Sequence, residues 1–244
     1  MRVVVERSAR AAADVAASLI ADVLSAPGGA ALALPTGRTA AAVYAALVAR
    51  RTSRARLNGA QIFNLDEFLG IPRDDPRSFA SFLRAHFLPH VDVDPGRVHF
   101  LDGVARRWRE EAARYERAIA AAGGLDLAVL GIGANGHVGF NEPAATLAAP
   151  THRVRLAAST RRRHAAAFGG TAHVPRFALT MGVGTILRAR QVLLVATGAD
   201  KARIVARALE GPITTRVPAS LLQGHPQAIA VLDRDAASRL RFGG

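Results

Sequence analysis

Four polar side chains fall within eight residues of one another, directly after a short apolar run. They are Asn135, His137, Asn141 and Glu142, and they follow Leu127 to Ile132 through a glycine-rich turn. An imidazole titrates near neutral pH, so a His beside a carboxylate is suited to general acid–base catalysis. Gly-Asn-Gly strings are also ordinary turn sequences, and an isolated His is more often structural. The His and Glu together, fed by a strand, favour a proton-transfer site.

A pair of carboxylates follows a second apolar segment. Gln61 to Leu65 has the composition of a buried strand and leads into Asp66 and Glu67. Taken alone, the pair fits a solvated turn. In an open α/β sheet, however, ligands bind beyond the carboxyl ends of the strands, where the His loop is also expected. Both carboxylates are therefore candidates for contact with a substrate.

A loop rich in hydroxyl groups separates a buried strand from a helix. The strand covers Ala30 to Leu34, and the helix begins at Ala40. The loop between them contains Thr36, Gly37, Arg38 and Thr39. Backbone N–H groups at a helix start, two hydroxyls and a guanidinium are together able to bind a phosphate. The same pattern also serves as a plain helix cap, so the loop alone is a weak signal.

Lys201 is the only lysine among the 32 basic residues. Heavy use of Ala and Arg indicates a coding bias that replaces surface Lys by Arg. A retained Lys then either marks a need for a compact ammonium on a flexible stem or survives by chance. Lys201 follows the predicted strand Gln191 to Ala196 and the turn Thr197-Gly198, so it lies near a helix N-terminus. This position favours binding of an anion.

Composition excludes several classes of protein. The 244 residues suffice for one large core, and the absence of cysteine rules out disulfides and thiolate metal sites. No apolar run reaches the length of a membrane span, and Glu6 and Arg7 interrupt the first apolar stretch, which predicts a strand and not a signal peptide. We therefore expect a cytoplasmic protein that does not associate with membranes.

The net charge of +13 raises the question of nucleic-acid binding. The basic residues are spread along the chain, and only 5% of the residues are aromatic, which disfavours a base-stacking surface. An anionic small molecule fits this charge balance equally well. We therefore expect a small anionic substrate and no nucleic-acid partner.

Apolar runs and amphipathic segments alternate along the chain. Strands are predicted at Arg2 to Val5, Ala30 to Leu34, Gln61 to Leu65, Leu127 to Ile132, His152 to Leu156, Gln191 to Ala196 and Ala228 to Leu232. Helices are predicted at Ala11 to Leu24, Ala40 to Ala49, Ser78 to Phe87, Glu110 to Ala122, Thr160 to Phe168 and Lys201 to Leu209. The alternation predicts an α/β fold, a parallel sheet with helices on both faces. No repeat or long linker divides the chain, so residues 1–244 are predicted to form a single domain.

These segments resemble the glucosamine-6-phosphate deaminase family nearly end to end. The matching stretches are LALPTGRTAAAVYAAL, FNLDEFLGIPRDDPRSF, DPGRVHFLDG, GIGANGHVGFNEPA, ALTMGVGTIL and TGADKARIVARALEGPITTRVPASLLQGHPQAIAVLD. The pairing of NLDE with GHVGFNEP is specific, because the related 6-phosphogluconolactonases typically continue their Gly-His loop with an ASLFP-like sequence. The resemblance implies a modified Rossmann-like fold. It also implies conversion of glucosamine 6-phosphate to fructose 6-phosphate and ammonia, without a cofactor or metal.

The resemblance also implies roles for individual residues. Asp66 matches the base that takes the C2 proton of the open-chain sugar. His137 matches the residue that opens the pyranose ring, with Glu142 and Asn135 holding and tuning it. Many members have Asp where this chain has Asn135, and a neutral amide should leave the imidazole less basic than an Asp would. Lys201 matches a phosphate ligand. The loop Thr36 to Thr39 matches the phosphate cradle, and Glu67 is grouped with the substrate contacts.

The chain departs from the family pattern on the substrate-facing side. Ala166 stands where the family usually has an Arg that binds the phosphate, and Arg163 or Arg38 is expected to compensate. The aromatic hydroxyls often present near the base are replaced by Phe68 and Phe79, and the His that often follows the second is replaced by Ala80. These changes predict an altered lid over the substrate.

Three other functions stay open at this stage: deamination of galactosamine 6-phosphate, hydrolysis of 6-phosphogluconolactone, and sensing of a sugar phosphate without catalysis. Retention of Asp66, His137 and Glu142 together argues against the sensor. The chain ends soon after its last strand and so lacks the C-terminal extension of the larger, allosteric members, which predicts an unregulated form. The sequence does not decide between a monomer and a homo-oligomer.

Overall fold

Short apolar segments form the central sheet of this computed structural model, which describes residues 1–25, 28–50 and 59–241. The strands in these residues are β1 (Arg2–Glu6), β2 (Ala31–Leu34), β3 (Gln61–Asn64), β4 (Asp66–Phe68), β5 (Val98–His99), β6 (Leu127–Leu130), β7 (His152–Arg155), β8 (Phe177–Thr180), β9 (Gln191–Ala196) and β10 (Ala228–Asp233). The α-helices are α1 (Ala9–Leu24), α2 (Arg38–Ala49), α3 (Phe79–His86), α4 (Trp108–Ala121), α5 (Ala158–His164), α6 (Val183–Leu187), α7 (Ala202–Leu209) and α8 (Arg234–Ala237). Single 3₁₀ turns precede α7 at Ala199–Lys201 and follow α5 at Ala165–Phe168.

Seven strands form one sheet in the order β1-β10-β9-β6-β2-β3-β5, and every pairing in it is parallel. All four residues of β2 and all four of β6 are buried, as expected for strands covered on both faces. From β2 the chain runs outward through β3 and β5, then returns to the other side of β2 at β6. This reversal creates a switch point between β2 and β6, where open α/β sheets bind ligands.

Helices cover both faces of the sheet, which confirms the predicted architecture. On one face α1, α2 and α3 pack through side chains such as Ile20, Leu47 and Leu83. On the other face α4 and α7 pack with α6 and α8, through side chains such as Ile119 and Val205. Ala12, Ala16 and Ala17 of α1 are completely buried, and their small side chains allow the helix to pack close to the sheet.

A second, smaller sheet corrects two of the expectations. Asp66 and Glu67 were predicted in a loop, but they form β4, which pairs antiparallel with β8. The predicted strand at His152 is present as β7, but it pairs antiparallel with β8 and not within the parallel sheet. The order of this sheet is β4-β8-β7. Strand β4 follows β3 almost directly in the chain, so Asp66 lies in a regular strand and not in a loop.

Across the described parts of the chain, no helix is both long enough and apolar enough to traverse a lipid bilayer.

Candidate active site

A cavity of about 1020 Å³ opens beyond the carboxyl ends of β2, β6 and β9. Predicted site residues on its wall include Thr36, Gly37, Arg38, Thr39, Asp66, His137, Arg163 and Lys201. The cavity lies at the switch point of the parallel sheet, because β2 and β6 are neighbours there. The structure thus brings together residues that lie far apart in the sequence.

The His loop after β6 is held by an internal network of hydrogen bonds. The side-chain amide of Asn135 donates to Oε2 of Glu142 at 2.7 Å, and the backbone N–H of His137 donates to Oδ1 of Asn135 at 3.2 Å. Nδ1 of His137 lies 3.5 Å from Oε2 of Glu142 and 3.4 Å from the hydroxyl of Thr160. Nε2 makes no hydrogen bond with any described residue. This nitrogen is therefore free to exchange a proton with a ligand.

Glu142 is held in its ionised form. Burial acts to raise its pKa, but the hydrogen bond and charge of His137, with hydrogen bonds from Thr160 and Asn135, outweigh that effect. The pKa of Glu142 is lowered to about 2 as a result. The backbone N–H of Ala157 also donates to Oε1 at 3.0 Å. A fixed carboxylate beside Nδ1 orients the imidazole.

Gly133 is required by the position of the imidazole. A Cβ atom at residue 133 would lie 2.2 Å from the ring of His137, well inside the contact distance of two carbon atoms. The backbone N–H of Gly133 also donates to the carbonyl of His137 at 2.9 Å, which closes the loop. The glycine-rich turn thus provides the space in which the His side chain lies.

Asp66 is a buried carboxylate without a partner among the described residues. Its side chain accepts no hydrogen bond there, and the residue is 6% exposed. Burial raises its pKa well above the usual value near 3.8, and the negative charge of Glu67 raises it further. Opposite it, Gly139 brings the backbone close, since a Cβ at residue 139 would lie 3.5 Å from Oδ2 of Asp66. A carboxylate with a raised pKa, facing a cavity, has the character of a general base.

Glu67 does not line the cavity, contrary to its predicted contact with substrate. Its carboxylate accepts hydrogen bonds from the Ser78 hydroxyl at 2.8 Å and from three backbone N–H groups, those of Phe68, Phe79 and Ala80. Two of these N–H groups belong to the first turn of α3. Burial raises the pKa of Glu67, and the four hydrogen bonds act to lower it. The alternation of side chains along β4 places Asp66 in the cavity and turns Glu67 toward the helix.

The residues that follow β2 present polar groups to the cavity. Gly37 has φ of +103°, a conformation that favours glycine, and it immediately precedes α2. The hydroxyl of Thr39 lies 3.3 Å from that of Thr197, which follows β9. Arg38 and Thr39, which were predicted in a loop, form the first turn of α2, and this contact joins that turn to the residue after β9. Arg38 lines the same part of the cavity.

Lys201 contributes a buried ammonium group to the cavity near Arg38 and Arg163. Its Nζ donates to the carbonyl of Ile132 at 2.7 Å, which ties it to the end of β6. Burial lowers the pKa of Lys201, and the charges of Arg163 and Arg38 lower it further against the opposing effect of Asp200, giving a pKa of about 8. Arg163 lies 3.8 Å from Asp200 through Nη1. Three cationic side chains therefore surround one region, as expected for an anion site.

Sequence reasoning missed three residues on the wall. His164 faces the cavity beside Arg163, and Thr197 meets Thr39 there. Asp233, at the end of β10, accepts two hydrogen bonds from the N–H of Gly198 at 3.0 Å and so shapes the loop before Lys201. Asp233 could have been found from the sequence, because it is a polar residue at the carboxyl end of a predicted parallel strand. Nothing in the sequence marked His164. Ala166 is exposed and does not line the cavity.

No group of three or more His, Asp or Glu side chains in the described ranges is arranged to hold a metal ion.

Comparison with known proteins places the chain in a family. Residues 5–231 match the family model described as glucosamine-6-phosphate isomerases/6-phosphogluconolactonase. The chain belongs to this family. A glucosamine-6-phosphate deaminase of Hahella chejuensis is 42% identical over 243 residues, which cover 99% of this chain and 93% of the relative. The glucosamine-6-phosphate deaminase of Pseudarthrobacter chlorophenolicus is 40% identical over 242 residues, with the same coverage of each chain.

Solved structures of the glucosamine-6-phosphate isomerase/6-phosphogluconolactonase family share the fold. The structure of a monomeric glucosamine-6-phosphate deaminase matches with a TM-score of 0.94 and 36% identity, over 98% of this chain and 100% of the other. A 6-phosphogluconolactonase from Thermotoga maritima matches with a TM-score of 0.75 and 19% identity, over 95% and 99% of the two chains, which shows the shared fold alone. Within this family the chain is therefore much more similar to the deaminase than to that lactonase.

Proposed function

We propose that this enzyme converts glucosamine 6-phosphate and water to fructose 6-phosphate and ammonia. The observation that carries the proposal is the arrangement of three different groups on one cavity. These are an unpartnered carboxylate at Asp66, an imidazole held by Glu142 at His137, and a cationic cluster around Lys201. The identity of 38–43% to proteins named glucosamine-6-phosphate deaminase supports the same reaction.

Ring opening is the step assigned to His137. The imidazole takes the proton of the O1 hydroxyl and delivers a proton to the ring oxygen, so that the bond between C1 and the ring oxygen breaks and an aldehyde forms. Glu142 beside Nδ1 stabilises the imidazolium that exists between these two transfers. Asn135 fixes Glu142 through its side-chain amide and adds no charge to the relay.

Proton transfer between carbon atoms is the step assigned to Asp66. The carboxylate removes the C2 proton while one N–H proton of the ammonium group passes to O1, which gives an enolamine. Asp66 then returns its proton to C1, leaving an iminium at C2. Water adds to C2 and ammonia departs, so the sum of the steps is an isomerisation followed by hydrolysis. The raised pKa of Asp66 strengthens it as a base for a carbon acid.

Phosphate binding is assigned to Lys201, the loop Thr36 to Thr39, and one of the two arginines. Arg38 and Arg163 both line the cavity near Lys201, which supports the proposal that one of them takes the role of the family Arg that Ala166 replaces. A dianionic phosphate matches the charge of three cations, of which Lys201 is buried and Arg38 and Arg163 are exposed. We also assign the enzyme to the cytoplasm, the expectation from its composition.

Purified protein incubated with glucosamine 6-phosphate tests the proposal. We expect equimolar ammonia and fructose 6-phosphate, with no added metal or nucleotide, and no comparable hydrolysis of 6-phosphogluconolactone. Galactosamine 6-phosphate is assayed in parallel, because a higher kcat/KM for it would identify the epimer as the substrate. Hydrolysis of the lactone without deamination, or binding of the amino sugar without ammonia release, would overturn the proposal in favour of a lactonase or a sensor.

A further inference from the structure

His164 lies on the cavity wall among three phenylalanines. Its ring centroid is 5.2 Å from that of Phe68, at an interplanar angle of 85°. The corresponding distances to Phe79 and Phe140 are both 6.0 Å. The three rings fix the position of the imidazole at the end of α5, while the residue stays half-buried and lines the same cavity as Asp66.

The imidazole of His164 has unused hydrogen-bonding groups. Neither of its ring nitrogens makes a hydrogen bond to a residue in the described ranges. Burial lowers the pKa of His164 to about 4, helped by the positive charges of His137 and Arg163 and opposed by Glu142. A neutral imidazole offers one N–H donor and one nitrogen acceptor. Because the residue is half-buried and lines the cavity, this donor and acceptor are open to a ligand in the cavity.

The neighbours of His164 link it both to the cationic cluster and to the backbone segment near Asp66. The preceding residue, Arg163, belongs to the cationic cluster with Lys201. On the other side, Phe140 follows Gly139, whose backbone comes close to Asp66. A sugar 6-phosphate with its phosphate at the cationic cluster and C2 at Asp66 brings its middle carbons past the wall that carries His164.

Resting on the function proposed above, we propose that His164 hydrogen-bonds a hydroxyl on C3 or C4 of the amino sugar and thereby determines specificity. Phe79 and Phe140, which line the cavity beside His164, cannot make such a hydrogen bond, so His164 is the hydrogen-bonding side chain of this aromatic cluster. A hydroxyl bound there is desolvated, and a site built to bind a hydroxyl rejects an analogue that lacks it. The role is selection and positioning of the substrate, separate from the proton transfers of Asp66 and His137.

His164→Phe and His164→Gln test this assignment against a purely structural one. Phe keeps the aromatic packing and removes the hydrogen bond, whereas Gln keeps a donor and an acceptor and removes the ring. We expect His164→Phe to lower kcat/KM for glucosamine 6-phosphate by about tenfold or more, and His164→Gln to stay within about threefold of the wild type. If the role of His164 were packing alone, the order of the two variants would be reversed.

Substrate analogues supply the second comparison. Of 3-deoxy- and 4-deoxyglucosamine 6-phosphate, one should react equally well with the wild type and with His164→Phe. This analogue lacks the hydroxyl that His164 binds, so the substitution removes no further hydrogen bond. Inhibition by inorganic phosphate should be unchanged in His164→Phe, which also shows that the variant is folded. The matched control is His173→Phe, at an exposed His away from the cavity, for which we expect wild-type kcat/KM.

The proposal is overturned if His164→Phe retains wild-type kcat/KM, or if it loses the same factor with the parent sugar and both deoxy analogues. Calorimetric titration with glucosamine 6-phosphate separates this failure from failure of the proposed function. A wild type that binds the sugar but releases no ammonia contradicts the reaction. The affinity of His164→Phe for the same sugar, about tenfold weaker if the bond exists, still tests His164 in that case.

Discussion

The carboxylates of Asp66, on the cavity wall, and of Glu142, beside His137, have opposite environments, and this difference supports the roles proposed for them. Glu142 accepts hydrogen bonds from Asn135 and Ala157 beside His137, and its pKa of about 2 keeps it ionised. Asp66 accepts no hydrogen bond from the described residues, and burial raises its pKa. Pairs of titratable groups whose pKa values are separated in this way indicate which group transfers protons and which one stabilises charge. This criterion supports the proposal that Asp66 is the proton-transfer group.

The pH dependence of kcat/KM should report Asp66. A base acts in its ionised form, and the fraction ionised falls as the pH drops through a pKa that lies well above 3.8. We therefore expect an acid limb at a pH clearly above 3.8 in a profile of ammonia release. Glu142 does not contribute, because it stays ionised until about pH 2. An acid limb at or below pH 3.8 would show that the buried Asp66 is not the base.

Lys201 should act mainly on substrate binding. Contacts with a phosphate remote from the reacting carbon contribute to binding, so Lys201→Ala should raise KM and lower kcat/KM by about tenfold to a hundredfold. Lys201→Arg should not restore activity, because a planar guanidinium cannot take the buried position in which Nζ donates to Ile132. As the pH rises through about 8, the free enzyme loses this charge, and kcat/KM should fall. Steady-state kinetics across pH check both effects.

The same kinetics separate the two arginines. Arg38→Ala and Arg163→Ala should differ in their inhibition by inorganic phosphate. Only removal of the arginine that binds the phosphate should weaken this inhibition. If Lys201→Arg equals the wild type in kcat/KM, the solitary lysine is a chance survival and the geometric argument for it is wrong.

At the scale of secondary structure, Glu67 joins β4 to the start of α3. Glu67→Gln replaces one acceptor oxygen by an amide that faces N–H or hydroxyl donors, so a buried polar group is left unsatisfied. We expect the free energy of unfolding to fall by about 1–3 kcal/mol in urea titrations. The matched control is Glu110→Gln, at an exposed ion pair with Arg107, where we expect about 0–1 kcal/mol. If both substitutions have the same small effect, Glu67 does not anchor the helix.

Six of the seven strands of the parallel sheet could be predicted because each is a local pattern, whereas the two-residue strand β5 was missed. The apolar run of β6 and the amphipathic pattern of α1 are each visible within the residues of the element itself, and only the predicted ends differ from the observed ones. The small antiparallel sheet could not be predicted in the same way. β4 has three residues, and its partner β8 lies more than a hundred residues later, so no local periodicity marks the pairing. The two carboxylates of β4 consequently stood in a predicted loop.

At the scale of the whole molecule, the site is an assembly of strand ends that the parallel topology brings to one edge. The sequence predicted residues on the ends of β2, β6 and β9, and the cavity lies there. Glu67 was grouped with the substrate contacts but does not line the cavity, because the direction in which a strand residue faces depends on tertiary packing that the sequence pattern did not reveal. Sequence reasoning also missed His164, whose contact with Phe68, Phe79 and Phe140 depends on how α5 packs on the small sheet.

The central claim is that Asp66 moves a proton between C2 and C1 of a phosphate-anchored amino sugar. Proton NMR in deuterium oxide, with glucosamine 6-phosphate and either wild type or Asp66→Asn, measures this transfer at the carbon itself. We expect deuterium at C1 of the fructose 6-phosphate and exchange at C2 with the wild type, and neither with Asp66→Asn, whose inhibition by inorganic phosphate is unchanged. Equal rates of exchange at C2 for the two proteins would contradict the account.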